Sequence, residues 1–163
     1  MDENLQKVFN QLIHIEQVST TLYLAMSAYL DRKNFTGMAN WLRLQSDEER
    51  GHLLTLIKYV TDKNGVVELS SVPAQPTDFG TPLETFQQVL EHEQYVTNAY
   101  RQAYSYVNQV DPQGGVIIQD FLREQIDEEA QAQTIIDRLT LAGNDASATL
   151  LIDQELGQRQ AAG

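Results

Sequence analysis

Residues Met38 to Leu56 read MANWLRLQSDEERGHLLTL, and their apolar members Met38, Leu42, Leu53 and Leu56 recur with a helical period on one face. That same face carries two residues of another kind. Glu49 lies seven residues after Leu42, eleven after Met38 and seven before Leu56, and His52 follows one turn further along. A carboxylate and an imidazole therefore project with the apolar stripe of a helix, where charged groups are costly unless they have a partner.

Outward from this stretch the pattern extends into four long helices. Before it, Leu5, Phe9, Leu12, Tyr23 and Leu30 mark a first helix ending near Lys33 and Asn34. The second helix, containing the quoted stretch, runs through Val60 to a stop at Asn64-Gly65. Residues 65 to 81 lose the period, with Gly65, Pro73, Pro76 and Gly80 punctuating a connection in which Val66-Val67-Glu68-Leu69 is at most a short extended piece. Thr81, Pro82 and Glu84 then form a capping box that opens a third helix through Phe86, Leu90, Tyr100, Tyr104 and Val107. Asp111-Pro112 and Gly114-Gly115 break the pattern, and Ile117, Phe121, Ile135 and Leu139 mark a fourth helix up to Ala142-Gly143. A short fifth helix spans roughly Asp145 to Leu156. The expected fold is all-α: a four-helix bundle with a long crossover between its second and third helices and a short C-terminal helix. A helix of ~27 residues is about 40 Å long. An extended connection of seventeen to nineteen residues reaches roughly 60 Å, enough to let the second and third helices run parallel.

Three further carboxylates lie on the stripes. Glu16 is four residues after Leu12 and seven before Tyr23; Glu93 is seven after Phe86 and seven before Tyr100; Glu128 is seven after Phe121 and seven before Ile135. Each long helix thus carries one inward glutamate, and their depths agree. Glu16 stands eighteen residues before Asn34, with Glu49 and His52 fifteen and eighteen after it; Glu93 stands nineteen before Pro112 and Glu128 sixteen after. A single such glutamate would read as a group reaching solvent or pairing with an arginine. Four at one level, with no lysine or arginine on the stripes at that depth, would repel each other at a cost of several kcal/mol per charge. Two divalent cations neutralise them. Oxygen ligands with one imidazole and no thiolate suit iron or manganese and tolerate zinc.

Composition narrows the function further. The 163 residues fit one domain, 1–163, with 42% hydrophobic residues. Acidic residues outnumber basic ones 23 to 11, a net charge of −12 that argues against nucleic-acid binding and for attraction of cations. The absence of cysteine excludes disulfides, thiolate zinc sites and iron–sulfur clusters. The polar start MDENLQKV is unlike a secretory signal, and no apolar run approaches ~20 residues, so the expectation is a cytoplasmic protein with no membrane association.

Over nearly its whole length the chain resembles the bacterial non-haem ferritins, members of the ferritin-like di-iron family. The resemblance is carried by Glu16-Gln17-Val18-Ser19-Thr20-Thr21-Leu22-Tyr23, Asp47-Glu48-Glu49-Arg50-Gly51-His52, His92-Glu93-Gln94, Glu124-Gln125-Ile126-Asp127-Glu128-Glu129 and the run from Ile135 to Gly143. It implies that Glu16, Glu49 and His52 hold a first iron, and Glu49, Glu93 and Glu128 a second, with Glu49 bridging and Gln125 beside the second. Tyr23 resembles the family's electron-donating tyrosine, although on its stripe it reads equally as a core tyrosine with a bonded hydroxyl. Glu48, Glu124, Asp127 and Glu128 would supply a third iron position, and solvated surface acids are the competing reading for them. Asp127 is shorter than the glutamate usual there. In the family's wider pattern two helices give a glutamate each and two give Glu-x-x-His. Here Gln131 follows Glu128 by three residues, so the second histidine is missing and the second ion has a weaker, all-oxygen environment.

What the resemblance implies is oxidation of Fe(II) by dioxygen or hydrogen peroxide, a ferroxidase reaction, with ferric mineral deposited inside a homo-oligomeric, 24-subunit cage. No haem is expected, because the haem-binding bacterioferritins normally carry the second Glu-x-x-His and an interface methionine, and the methionines here are only Met1, Met26 and Met38. A rubrerythrin-like di-iron peroxidase without storage is the alternative from another functional class. It usually has extra carboxylates and an electron-transfer iron centre, and lacks the fifth helix. The mini-ferritins place iron between subunits, against which inward ligands on all four helices count. His14 and His92 read as structural or surface residues. Val8, Ile13 and Ile15 on the first helix, with Leu150, Leu151 and Ile152 on the fifth, exceed what one bundle should bury and point to subunit interfaces.

Overall fold

The computed structural model describes residues 1–161, which form five helices: α1 (Glu3–Arg32), α2 (Thr36–Asp62), α3 (Pro82–Val110), α4 (Pro112–Ala142) and α5 (Ala146–Leu156). Local chemistry sets most boundaries. Asp2 caps α1 by accepting from the Asn4 amide at 3.0 Å. Asn34 and Asn64, both with positive φ, turn the chain out of α1 and α2. The Thr81–Glu84 capping box opens α3 in both directions, with Thr81 N–H donating to Glu84 at 2.7 Å and Glu84 N–H to Thr81 at 3.2 Å. Phe35, preceding α2, has no side chain that can cap it. That service comes from α5, where Asp153 accepts from the Met38 amide at 2.8 Å.

The helix directions follow from cross-helix bonds. Ser27 donates to the Ala39 carbonyl and Ser46 to the Thr20 carbonyl, so α1 and α2 are antiparallel. Tyr23 bonds Glu93 while Tyr100 bonds Glu16, so α3 is antiparallel to α1 and hence parallel to α2. The crossover achieves this by running the length of α1. Asn10 and Gln6 pair with the backbone of Val66 and Glu68 at one end, and Tyr29 donates to Asp78 and to the Gly80 carbonyl at the other. No strand forms at residues 66–69, and Val66 and Leu69 are exposed.

Gly114 and Gly115 do not form the turn expected between the third and fourth helices. The break is confined to Asp111, and both glycines lie in the first turn of α4, buried against α3 and Phe9. A Cβ on Gly114 would come within 2.8 Å of Asp111 Oδ2 and 3.0 Å of Phe9, and one on Gly115 within 2.7 Å of Asn108 Oδ1. The pair thus permits close approach of two antiparallel helices joined by a single residue. The stripes also settle one residue away from expectation in two places, burying Val89 and Ile118 where Leu90 and Ile117 are only partly buried. Ile13 and Ile152, expected at interfaces, belong to the interior, whereas Leu150 and Leu151 are exposed.

The apolar core is divided. One half gathers Tyr23, Met26, Leu30, Phe86 and Leu139 with their neighbours, the other Phe9, Leu12, Leu56, Val107 and Phe121 with theirs. Between them lies a polar layer.

Candidate metal centre

The polar layer contains all four stripe glutamates, each at most 5% exposed, together with Gln45, Gln125 and His52. Glu16, Glu49 and His52 offer ligand atoms that all lie within 4.8 Å of one another, close enough to share one cation; among the described residues they are the one such trio. Glu16 accepts from the Tyr100 hydroxyl through Oε1, while its Oε2 is buried without a partner. An orphaned buried carboxylate oxygen costs about 1–3 kcal/mol or more. A cation among these three residues removes that cost.

The remaining carboxylates are held from the protein side. Glu93 accepts from the Tyr23 hydroxyl and from Gln125 Nε2 at 2.8 Å. Gln45 Nε2 donates to Glu128 at 2.7 Å and to Glu49 at 3.1 Å, spanning α2 and α4. His52 lies between two carboxylates, with Nδ1 3.0 Å from Glu49 and Nε2 2.7 Å from Glu124. Burial pulls its proton affinity down, but the hydrogen bonds to Glu124 and Glu49 outweigh burial and raise its pKa to about 11. The metal-free layer therefore carries an imidazolium, and Glu49 beside it stays below the usual carboxylate range despite its burial, held there by the His52 hydrogen bond. Burial, then repulsion from Glu49, raises Glu16 well above that range and Glu93 to about 8. Burial, then Glu48 and Glu49, raises Glu128 to about 7. The layer without metal is one of trapped protons, and its oxygen and nitrogen donors suit a divalent cation that would replace them.

The residues expected at a third position are not gathered as a cluster. Glu48 pairs with Arg159 at 2.8 Å, Glu124 with His52, and Asp127 is exposed beside Gln131 in a surface depression under Trp41 and Arg138. His92 contacts Ser19 at 2.7 Å and lies edge-on to Tyr23, a structural placement. Three functional neighbours escaped the sequence reading. Gln45 precedes Glu49 by four residues, and its position on the stripe was a readable signal. Tyr100 was on the stripe as an apolar residue, with nothing local to show its hydroxyl meeting Glu16. Arg159, a cation from beyond the last helix, had no signal at all.

A bundle of this topology with this polar layer defines a class, and comparison places the chain in it. The model of the ferritin-like domain family matches residues 6–142, and the chain belongs to that family. It is 38% identical over 163 residues to a bacterial non-heme ferritin of Bacteroides fragilis strain 638R, covering 98% of this chain and 99% of that one. It is 34% identical over 160 residues to a bacterial non-heme ferritin of Staphylococcus aureus strain MRSA252, covering 98% and 96%. Among solved structures, an open-pore ferritin from the hyperthermophilic archaeon Archaeoglobus fulgidus superposes with a TM-score of 0.95 at 34% identity, covering 98% of this chain and 99% of that one. No helix among the described residues is long and apolar enough to cross a membrane.

Proposed function

We propose that this chain acts as a single unit that oxidises Fe(II) at the polar layer and stores the ferric product inside a cage of 24 copies. The observation that carries the reading is the partnerless, buried Oε2 of Glu16 within a trio already spaced for one cation. Fe(II) is the substrate. One ion binds Glu16, Glu49 and His52, and a second binds Glu49, Glu93 and Glu128 with Glu49 shared and Gln125 alongside. Ligation through Nδ1 of His52 would leave its Nε2–H donating to Glu124, which fixes the tautomer and the ring. Two Fe(II) each lose one electron, and dioxygen takes both electrons and two protons to become hydrogen peroxide; peroxide itself can serve as the oxidant and become water. Hydrolysis of Fe(III) then yields mineral and protons.

The chain's own groups orient and tune this reaction. Tyr23, bonded to Glu93, is positioned to supply an electron, and its own proton is held tightly by burial and by Glu93. Gln131 is exposed, so the second ion has oxygen ligands alone and is held less firmly. That suits a centre that releases its product. Glu48, Glu124, Asp127 and Glu128 stand apart in the metal-free chain, and would receive a third ion only if Glu48 and Glu124 left their present partners Arg159 and His52. The exposed Leu150 and Leu151 on α5 fit burial between copies, and the charge of −12 per chain would draw Fe(II) inward.

Anaerobic Fe(II) titration, followed by admission of oxygen, tests the reading in the wild type and in Glu49→Ala. The wild type should take up two ions per chain and oxidise them rapidly, and light scattering should give a mass of about 440 kDa for 24 chains of 18.4 kDa. The variant, lacking the shared ligand, should remain helical and lose the rapid phase. Unchanged oxidation in the variant would overturn the site, and a stable monomer or dimer would remove the storage cavity.

A further inference from the structure

After α5 the chain turns at Gly157 and Gln158 and returns to α2, where Arg159 makes a set of contacts unlike those of a loose tail. Its Nη1 donates to the Trp41 carbonyl at 3.1 Å and to Gln45 Oε1 at 2.9 Å, and its Nη2 to Glu48 Oε2 at 2.8 Å. The guanidinium also lies over the Trp41 ring, 4.5 Å from its centroid. Asn40 holds the Arg159 carbonyl at 3.3 Å, so the backbone is anchored as well as the side chain. The Arg159 side chain is 20% exposed and that of Glu48 33%.

The bond to Gln45 reaches into the metal centre. Arginine offers donors only, so the Gln45 oxygen must face it. The Gln45 NH2 group is thereby turned to Glu49 and Glu128, which it bonds. Arg159 is thus two hydrogen bonds from both carboxylates, and it also neutralises Glu48 at their rim. A depression of about 380 Å³ lined by Asp47, Glu48, His52 and Arg159 opens beside it.

We propose that Arg159 is a tethered cation standing where an iron ion would otherwise sit against Glu48, so that iron moving between the di-iron layer and this rim must displace it. Arg159 is then a positioning and gating residue, and the tail that bears it is part of the route for iron. The inference rests on the ferroxidase reading above. It explains why a chain with an acidic rim brings its last described cation back to that rim across more than a hundred residues.

Equilibrium dialysis with Fe(II) under strict anaerobiosis separates the possibilities, applied to the assembled wild type, to Arg159→Gln, to Arg159→Lys and to a chain ending at Gln158. The wild type should bind two ions tightly and further ions weakly. In Arg159→Gln and in the shortened chain the affinity for the next ion should rise about twofold to fivefold, the range expected on freeing a one-third-exposed carboxylate from its ion pair. Arg159→Lys should fall between, keeping the charge but losing the fork that holds Gln45. Unchanged affinity for the next ion in both uncharged variants, with faster amide exchange of α5, would overturn the gate and leave a structural anchor. Failure of every protein to bind the first two ions would overturn the ferroxidase reading itself, and the gate with it.

Discussion

Loading the metal-free protein with a redox-inert divalent cation such as Zn(II) should expel protons, in a number that falls as pH rises. Without metal, Glu93 titrates at about 8, Glu128 at about 7 and His52 at about 11. At pH 7, His52 is then fully protonated, Glu93 about nine-tenths and Glu128 about half, which is roughly two and a half protons on three groups. Glu16, raised by burial and by Glu49, adds up to one more. Ligation needs ionised carboxylates and a bare imidazole nitrogen, so filling both positions should release about two and a half to three and a half protons per chain at pH 7. By pH 9 both Glu93 and Glu128 are largely ionised, and release should shrink to little more than the His52 proton and whatever Glu16 retains. Isothermal titration in buffers of different ionisation enthalpy measures this number directly. A Glu128→Gln variant should lose at least about half a proton of release at pH 7, because Glu128 also helps to hold the proton on Glu93 and is one of the proposed ligands of the second ion. A value near zero at pH 7, or one independent of pH between 6 and 9, would refute the picture of a proton-filled metal layer.

The metal-free protein should lose stability as pH rises from about 5 to 8. The folded state keeps protons on Glu93 and Glu128 that the unfolded chain gives up near its ordinary value of 4.5, so this contribution is complete below that value and disappears as pH passes 7 to 8. His52 extends the loss from about 6.5 upward towards its own value of about 11, whereas the lowered Glu49 acts oppositely and only at acidic pH. The change should be several kcal/mol, since the Glu93 shift by itself is worth about 3 kcal/mol over this interval, and it should be seen as falling melting temperatures in chelator-treated protein; temperatures that climb over this interval would contradict it. Gly37→Ala should lift α5 from the bundle, because an added Cβ would run into the backbone carbonyl of Asp153 and break its cap on Met38. Amide exchange across residues 146–156 should accelerate by a factor corresponding to about 1–3 kcal/mol while the four long helices persist, and unchanged protection would show that the contact yields at little cost.

Periodicity carried most of the fold into view from sequence, because a long helix repeats its inward positions many times and each repeat tests the phase. Caps at Thr81 and stops at Asn64 are equally local, since their hydrogen bonds join residues a few positions apart. The four glutamates and His52 were visible for the same reason: a charge on an apolar stripe contradicts its neighbours, and the contradiction recurs at one depth on four helices. Finer phase escaped, as with Val89 and Ile118, because adjacent apolar residues satisfy the period equally and only the neighbouring helix decides which is buried. The Gly114-Gly115 pair looked like a turn because glycine permits both turns and close packing, and only the approach of Phe9 and Asn108 distinguishes them. Family resemblance proposed candidate ligands but not the groups that hold them when metal is absent.

What tertiary structure alone decided lies in contacts between segments far apart in the chain. Asp153 caps α2 across 115 positions, and Arg159 reaches Gln45 across 114. Such contacts have no period and no local motif, since a side chain's hydrogen bond depends on where two backbones meet. The sequence by itself determined that a layer of carboxylates must lie inside a four-helix bundle, because burial of apolar stripes leaves those residues nowhere else to go. Folding decided that tyrosines from both halves of the core and glutamines within the layer hold its carboxylates, that His52 keeps its proton between two carboxylates, and that an arginine from the tail closes its rim.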